Sequence, residues 1–413
     1  MKRTAICLAV SALTASPLVM AAATPSAAEI EQANVQDLKK YVLALSQRIE
    51  EMEAKTDQVV ATAKPAKTWA DTIQWSGDVR YRYEEIDNDT KNDDQRRNRI
   101  RARIGLTAQI ADDVSGGVFL ASGSDDPVSS NQTLGGGGSS KGINLDMAWI
   151  DWNFAQDTHL VAGKTANPFY QPAKDGMIWD GDYRPEGAHM SYDNGIIWAI
   201  GAYHFLNSEQ KPKNEGLSGN DADDTEMFGA QLGFRGNLTD NLQVVTGASY
   251  YHIPTEGLAP ILGAGKNFGN SLDASGNHAI DYDMAQVFVE LNTKLAGIPT
   301  TFFADYVTNT DSDADEDTGY AAGFKLGKAK NKGDWEIGYM YEDLEADAVY
   351  GTLSDSDFGG GGTDVKGHKL SAAVGLSKNT KLVATYFNNE YGDFSKGDEI
   401  DYDRLQLDIE TKF

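Results

Sequence analysis

Cysteine is almost missing from this chain. One residue in 413, Cys7, carries a thiol. A lone thiol closes no internal disulfide and builds no thiolate metal site, so neither device stabilises the protein. Long apolar runs are missing too. None reaches the ~20 residues that a membrane helix needs, which excludes a helical membrane protein. Positive charge is scarce: 36 Lys and Arg stand against 62 Asp and Glu, for a formal charge of −26. That balance argues against a nucleic-acid partner. The six histidines (His159, His189, His204, His252, His278 and His368) are scattered without metal-ligand spacing, and no cofactor or metal is implied.

Catalytic signatures are equally thin. Gly138-Ser-Ser-Lys-Gly142 matches a Gly-x-Ser-x-Gly pattern, but it lies in a Gly/Ser-rich stretch with no strand-turn-helix around it. Asp311-Ser-Asp-Ala-Asp-Glu-Asp317 begins like a calcium loop. Glu316 then stands where that loop needs glycine, and Ala322 where it needs a bidentate glutamate. An acidic solvated loop is the better reading. The chain is not expected to be an enzyme.

What is present begins with a secretory signal over residues 1–23. Lys2 and Arg3 form the basic region, Thr4 to Met20 the apolar region, and Ala21 to Ala23 the cleavage site. Residues 29–60 then repeat apolar side chains in alternating steps of three and four: Val35, Leu38, Val42, Leu45, Ile49, Met52, Thr56 and Val59. This is a heptad pattern, predicting a short coiled coil. Arg48 and Glu53 are spaced to bridge parallel helices, which resembles a trimer-specifying motif. β-Branched residues at a with Leu at d favour a dimer instead. Residues 24–67 therefore read as a coiled-coil segment with a Pro65-containing linker, expected in the periplasm.

From residue 68 onward the period changes to two. The clearest case is Asn98 to Ile110. Ile100, Ala102, Ile104, Leu106, Ala108 and Ile110 form one face, and Arg99, Arg101, Arg103, Gly105, Thr107 and Gln109 the other. A soluble sheet and a transmembrane barrel both explain such a strand. Loop lengths decide between them. Sixteen strands are predicted, most near the 9–11 residues that cross a membrane at a tilt. Connections after even strands are short (112–113, 156–157, 193–195, 378–379). Those after odd strands are mostly long (87–95, 123–142, 207–225, 254–281). Segregation by parity with an even strand count is the pattern of an outer-membrane barrel. The expected fold is thus an all-β transmembrane barrel over 68–413, closed by pairing the last strand with the first. Trp75, Trp152, Trp198, Tyr251, Tyr306, Trp335 and Tyr386, near strand ends, are expected to form aromatic girdles. In the fourth strand Ala148, Ile150 and Trp152 are expected outward, although Met147 and Trp149 compete for that face.

Five segments in order carry a family resemblance: Gly77-Asp-Val-Arg-Tyr-Arg-Tyr83, Arg97-Asn-Arg-Ile-Arg-Ala-Arg103, Asp126-Pro-Val-Ser-Ser-Asn-Gln-Thr-Leu-Gly135, Trp149-Ile-Asp-Trp152 and Gly163-Lys-Thr-Ala-Asn-Pro-Phe169. Together they resemble the putative porin family of Gram-negative outer membranes, itself similar to phosphate- and polyphosphate-selective porins. The terminal Phe413, ending an alternating strand, resembles the signal read by the barrel-assembly machinery. The resemblance implies a homotrimeric porin for ions and small solutes, set in membrane lipid and lipopolysaccharide. It names no solute.

Within that frame the basic ladder is the candidate site. Arg80 and Arg82 on the first strand, paired antiparallel with Arg97, Arg99, Arg101 and Arg103 on the second, make one patch. So many guanidinium groups need water or counter-charges beside them. The facing wall is expected from the loop after the fifth strand, Thr165 to Glu186, with Asp175, Asp180, Asp182 and Glu186 beside Lys174 and Arg184. In porins of this general architecture the loop at this place folds into the lumen. Arginines across from carboxylates would then form a constriction. The ladder also fits a structural network neutralised by acidic neighbours. A different reading of the whole chain is an envelope tether, whose coiled coil binds the cell wall or a partner.

Overall fold

The computed structural model describes residues 35–62, 69–91, 94–208, 224–263, 265–310 and 316–413. The expected signal at 1–23 and positions 311–315 of the acidic loop lie outside the described residues. The chain divides into a unit ending at Thr68 and a unit from Trp69 to Phe413.

In the first unit, helix α1 spans Val35–Thr62. Glycine and proline are absent from it, and its apolar residues recur at heptad spacing. That stripe is bare: Val35, Val42, Leu45, Ile49 and Met52 are all more than half exposed. The expected helix is present, and a coiled coil is not shown.

The second unit is one closed antiparallel barrel of sixteen strands. They are β1 (Ile73–Asn88), β2 (Gln95–Ala111), β3 (Val114–Ser122), β4 (Ile143–Ala155), β5 (Thr158–Lys164), β6 (Glu186–Asp193), β7 (Ile197–Asn207) and β8 (Thr225–Thr239), then β9 (Leu242–Ile253), β10 (Tyr282–Leu295), β11 (Ile298–Asn309), β12 (Thr318–Gly327), β13 (Trp335–Leu344), β14 (Val365–Ser377), β15 (Thr380–Tyr391) and β16 (Ile400–Lys412). Each pairs with its neighbours in sequence. β16 closes on β1 from Asp78 opposite Lys412 to Asn88 opposite Tyr402. Closure removes the sheet edge, whose unpaired N–H and C=O groups are untenable in lipid. Gly77 and Phe413 extend the seam with two mutual backbone hydrogen bonds of 3.0 Å. A seventeenth strand of two residues, Gln132–Thr133, pairs with Arg99 and Ile100 of β2.

The short connections gather at one end of the barrel and the long ones at the other. One of the two-residue turns is Ala296 and Gly297, both with positive φ (50° and 84°). That conformation matches the strand twist in a two-residue hairpin. Alternation along the strands sorts the faces as expected. On β2 Ile104 and Ile110 are exposed outward and Arg101 is buried inward; on β16 Leu407 and Ile409 face out while Arg404, Gln406 and Asp408 face in.

Two details differ from, or refine, the sequence reading. β4 changes phase at a register shift beside Asp146: Ile143 and Leu145 face out before it, Ile150 and Trp152 after it. One strand thus carries both phases, which explains its ambiguous pattern. Trp198 and Tyr251 do not join an aromatic girdle. Trp198 is buried against Val245 and Phe288, with Tyr170 packed alongside, and Tyr251 is wholly buried against Phe169 and Trp179. Trp75, Trp152 and Trp335 face outward at the turn end, and Tyr306 and Tyr386 outward toward the loop end.

Candidate functional site: a charged wall facing inward loops

β1 sends Asp78, Arg80, Arg82 and Glu84 into the lumen, because residues two apart share a face. Register then sets their neighbours. Across β16, β1 and β2, Glu410–Arg80–Arg101 form one row and Asp408–Arg82–Arg99 the next. Asp78 faces Arg103 at the turn-side edge, and Glu84 faces Arg97 at the loop-side edge. Like charges directly opposite destabilise a sheet. Here each arginine pair has a carboxylate beside it in the row.

The pairing is dense. Asp78 accepts from Arg101 at 2.9 Å and from Arg103 at 2.7 Å. Arg82 makes a two-pronged contact with Asp408 at 2.8 and 2.9 Å. Glu84 accepts from Arg404 at 2.6 Å and from Arg97, with Arg99 at 3.6 Å. Such forked, charge-assisted bonds fix guanidinium geometry firmly. Arg80 is the least neutralised: it donates to Asn131 at 2.7 Å and stands 4.0 Å from Glu410. The Nε groups of Arg80 and Arg99 are buried with no hydrogen-bond partner among the described residues.

The loop between β5 and β6 folds into the barrel. At its tip Ala173 and Lys174 both adopt positive φ (48° and 58°), a costly backbone for residues with a Cβ. Glu290 on β10 accepts the Ala173 N–H at 2.8 Å, and Lys325 on β12 donates to its carbonyl. The opposite wall thus holds the strained tip in place. Gln231 on β8 clamps Tyr170 through both its N–H and its carbonyl, at 2.8 and 3.0 Å.

On the ladder side Asp182 faces Arg103 at 3.1 Å and Arg101 at 3.6 Å. Its other oxygen accepts from the backbone and hydroxyl of Ser130 at 3.2 and 2.9 Å. Burial pushes the Asp182 carboxyl up, but Arg101 and Arg103 outweigh it and hold the group below the ordinary carboxylate range. Asp180 goes the other way: burial, with Asp355 and Asp182 nearby, raises it well above that range.

A third element completes the lining. The loop between β13 and β14 also turns inward, and its Asp357 takes Arg82 at 2.9 Å and Arg404 at 2.8 Å. Around the ladder, seven guanidinium groups (Arg80, Arg82, Arg97, Arg99, Arg101, Arg103, Arg404) meet six carboxylates (Asp78, Glu84, Asp182, Asp357, Asp408, Glu410).

The other half of the bore is filled. Met227, Tyr251, Tyr282, Met284, Phe303, Met340 and Phe387 point in from β8 to β15 and pack against Phe169, Met177, Trp179, Tyr350, Leu353 and Phe358 of the two inward loops. Apolar packing at this density leaves little room for water. The cavities instead lie along the charged wall. One of about 880 Å³ is lined by Arg80, Arg101, Asp180 and Asp182, and one of about 930 Å³ by Arg97, Arg99 and Arg404.

Of the residues singled out from sequence, Arg80, Arg97, Arg99, Arg101, Asp180 and Asp182 line these cavities, while Arg82 and Arg103 lie in the ion-pair network behind them. Asp175 also lines the first cavity, but it is buried beside Asp305 and pairs with none of the ladder arginines, and burial raises its carboxyl. Glu186 pairs with Lys164 at 2.9 Å at an exposed position and does not meet the ladder. Sequence reasoning missed Asp357, Ser130, Asn131 and the apolar filling. A signal for the filling was available. Met227-Phe228, Tyr250-Tyr251 and Phe302-Phe303 are apolar on both faces, as a strand covered on both sides should be.

The family described as "Putative porin" matches residues 86–255 and 264–413. The chain belongs to that family. Among solved structures this porin is similar to the high-pH structure of Pseudomonas putida OprB, at 12% identity and a TM-score of 0.57. That match covers 83% of this chain and 94% of that chain. A triple mutant of the Rhodopseudomonas blastica porin matches at 11% identity and a TM-score of 0.48, covering 83% and 100%. Identities this low speak to fold alone. No curated protein matches. Family and barrel fold identify a channel of the outer membrane, and point away from an enzyme.

Proposed function

We propose that this porin is a water-filled channel for passive diffusion of ions and small hydrophilic solutes, with the arginine ladder as one wall of its constriction. The carrying observation is a cavity of about 880 Å³ lined by Arg80 and Arg101 of the wall and by Asp180 and Asp182 of the inward loop, beside a bore otherwise filled by apolar side chains. Fixed charges of opposite sign on facing walls create a transverse field that orients polar solutes and filters ions. The constriction comprises Arg80, Arg82, Arg97, Arg99, Arg101 and Arg103, faced by Asp182 and Asp180. Single-channel recording of the purified protein in a planar bilayer tests this reading. Discrete conductance steps are expected; a folded protein that never conducts would refute it.

The remaining parts fit the same picture. Residues 1–23 act as an export signal, residues 24–67 as a coiled-coil segment and linker in the periplasm, and 68–413 as the barrel. The bare heptad stripe of α1 favours self-association, and the oligomer we propose is a homotrimer. Phe413 serves as the signal for the barrel-assembly machinery. The tether reading draws on that same bare stripe and would make a partner's helix or the cell wall its ligand. Crosslinking of cells with and without α1 separates the two.

A further inference from the structure

The charged path is divided. The outer cavity lies between Arg97, Arg99 and Arg404 on the wall and loop residues 265–269 and 359–362. The inner cavity begins at Arg80, Arg101, Asp180 and Asp182 and runs to Asp193 and Arg235 near the turn end. Among the described residues three line both: Val128, Ser356 and Asp357. They belong to two loops far apart in sequence, 123–142 and 345–364. The Ser356 hydroxyl donates to the Val128 carbonyl at 3.0 Å, joining those loops across the boundary. The Ser356 N–H donates to Asp180 at 2.9 Å, so the β5–β6 loop reaches the same point.

We infer that this septum is the gate of the conduction path, that it opens at Ser356, and that Asp357 fixes its charge. The inference rests on the channel reading above. The fastenings on the two sides of Ser356 are unequal. Toward Val128 there is one neutral hydroxyl–carbonyl hydrogen bond. Toward the wall, Asp357 makes charge-assisted bonds to Arg82 and Arg404, the stronger kind. The neutral bond yields first, and the loop stays anchored through Asp357. Opening at Ser356 joins the outer and inner cavities along the ladder. Asp357, held at the septum, cancels part of the Arg82 and Arg404 charge there, and so sets which ions pass.

The test is a Val128→Cys/Ser356→Cys double variant, made in a chain whose sole native cysteine, Cys7, lies in the expected signal. Oxidising the pair should lower single-channel conductance several-fold, and reduction should restore it. Asp357→Asn should move the reversal potential in a salt gradient toward anions. Full conductance with the crosslink verified by peptide mass spectrometry would overturn the gate. If the crosslink does not form, Ser356→Trp, folded by heat-modifiable mobility, should block conduction; wild-type conductance there overturns the gate as well. A wild-type protein with no conductance steps would instead bring down the channel reading, and the gate with it.

Discussion

Consider replacing Arg101 and Arg103 together by serine. Both side chains hold Asp78, and both reach Asp182. The wall then goes from seven guanidinium groups against six carboxylates to five against six, so its local charge changes from +1 to −1. A monovalent ion passing at roughly 6 Å feels about 1 kcal/mol from each fixed charge at an effective dielectric constant near 50. Removing two charges is thus worth about 2 kcal/mol, and about half that once a ~10 Å Debye length at 0.1 M salt is applied. About 1 kcal/mol on each ion, in opposite senses, amounts to a roughly tenfold or larger rise in the cation-to-anion permeability ratio. At 1 M salt, with a ~3 Å Debye length, the effect should nearly vanish. The assay is the reversal potential in a KCl gradient across a planar bilayer. Losing the clasp on Asp182 also loosens the β5–β6 loop, so conductance should hold or rise. A companion Asp182→Asn variant loosens the same loop but removes a negative charge, and should shift the reversal potential the other way. If the double variant leaves the reversal potential at 0.1 M salt unchanged, the ladder does not line the path.

Cysteines at Ile104, Leu232, Leu407 and Ile409, all outward and exposed, should be shielded by detergent from water-soluble thiol reagents, and one at Thr107 should react. Gln231 and Gln406 face inward but are only 3% and 2% exposed, so cysteines there should label slowly; fast labelling would contradict the inward plug. Deleting Phe413 should lower the yield of folded barrel, and so should Gly77→Ala, whose new Cβ would lie 2.4 Å from the Arg103 carbonyl and 2.6 Å from the Phe413 ring; immunoblots of outer-membrane fractions check both, and a normal yield from the deletion removes the assembly role. Ile49→Asp in α1 should weaken the oligomer and leave the barrel folded, as read by crosslinking; an unchanged oligomer assigns α1 another task. Asp182 and Asp357 are held below the ordinary value of about 3.8, so the stability they give is present above it and lost as pH falls through their lower folded values. Burial raises Asp175 and Asp180, so their contribution is full below about 3.8 and lost as pH rises through their folded values. Protection of residues 165–185 from protease should therefore peak in mild acid and fall on both sides; a monotonic profile would contradict these environments.

The barrel was legible because its two signals are local. Period-two alternation on strands such as β2 and β16 assigns faces without knowledge of any partner, and loop length by parity assigns ends. Even the β1–β2 arginine patch follows from one hairpin register. The inward plug was not legible in this way. Arg82 meets Asp357 across 275 residues, and Arg404 meets Glu84 across 320. The first contact depends on a loop turning inward and the second on ring closure, and neither leaves a periodic trace. Trp198 and Tyr251 were misassigned for a related reason. Where loops cover the inner face, a strand is apolar on both sides, and an aromatic residue near its end no longer reveals which way it points. Tyr250 is 47% exposed and its neighbour Tyr251 is 0% exposed.

The half-filled bore has a consequence for how such a channel can change. Sixteen strands fix the circumference of the ring, but the width of the passage is decided by the residues that two loops place inside it. Those residues touch neither lipid nor the strand register. Substitutions at Met177, Trp179, Leu353 or Phe358 can thus widen, narrow or re-line the passage while the lipid-facing wall stays as it is. The scaffold and the aperture are separable units of variation, and the range of solutes admitted can drift on one without renegotiating the other.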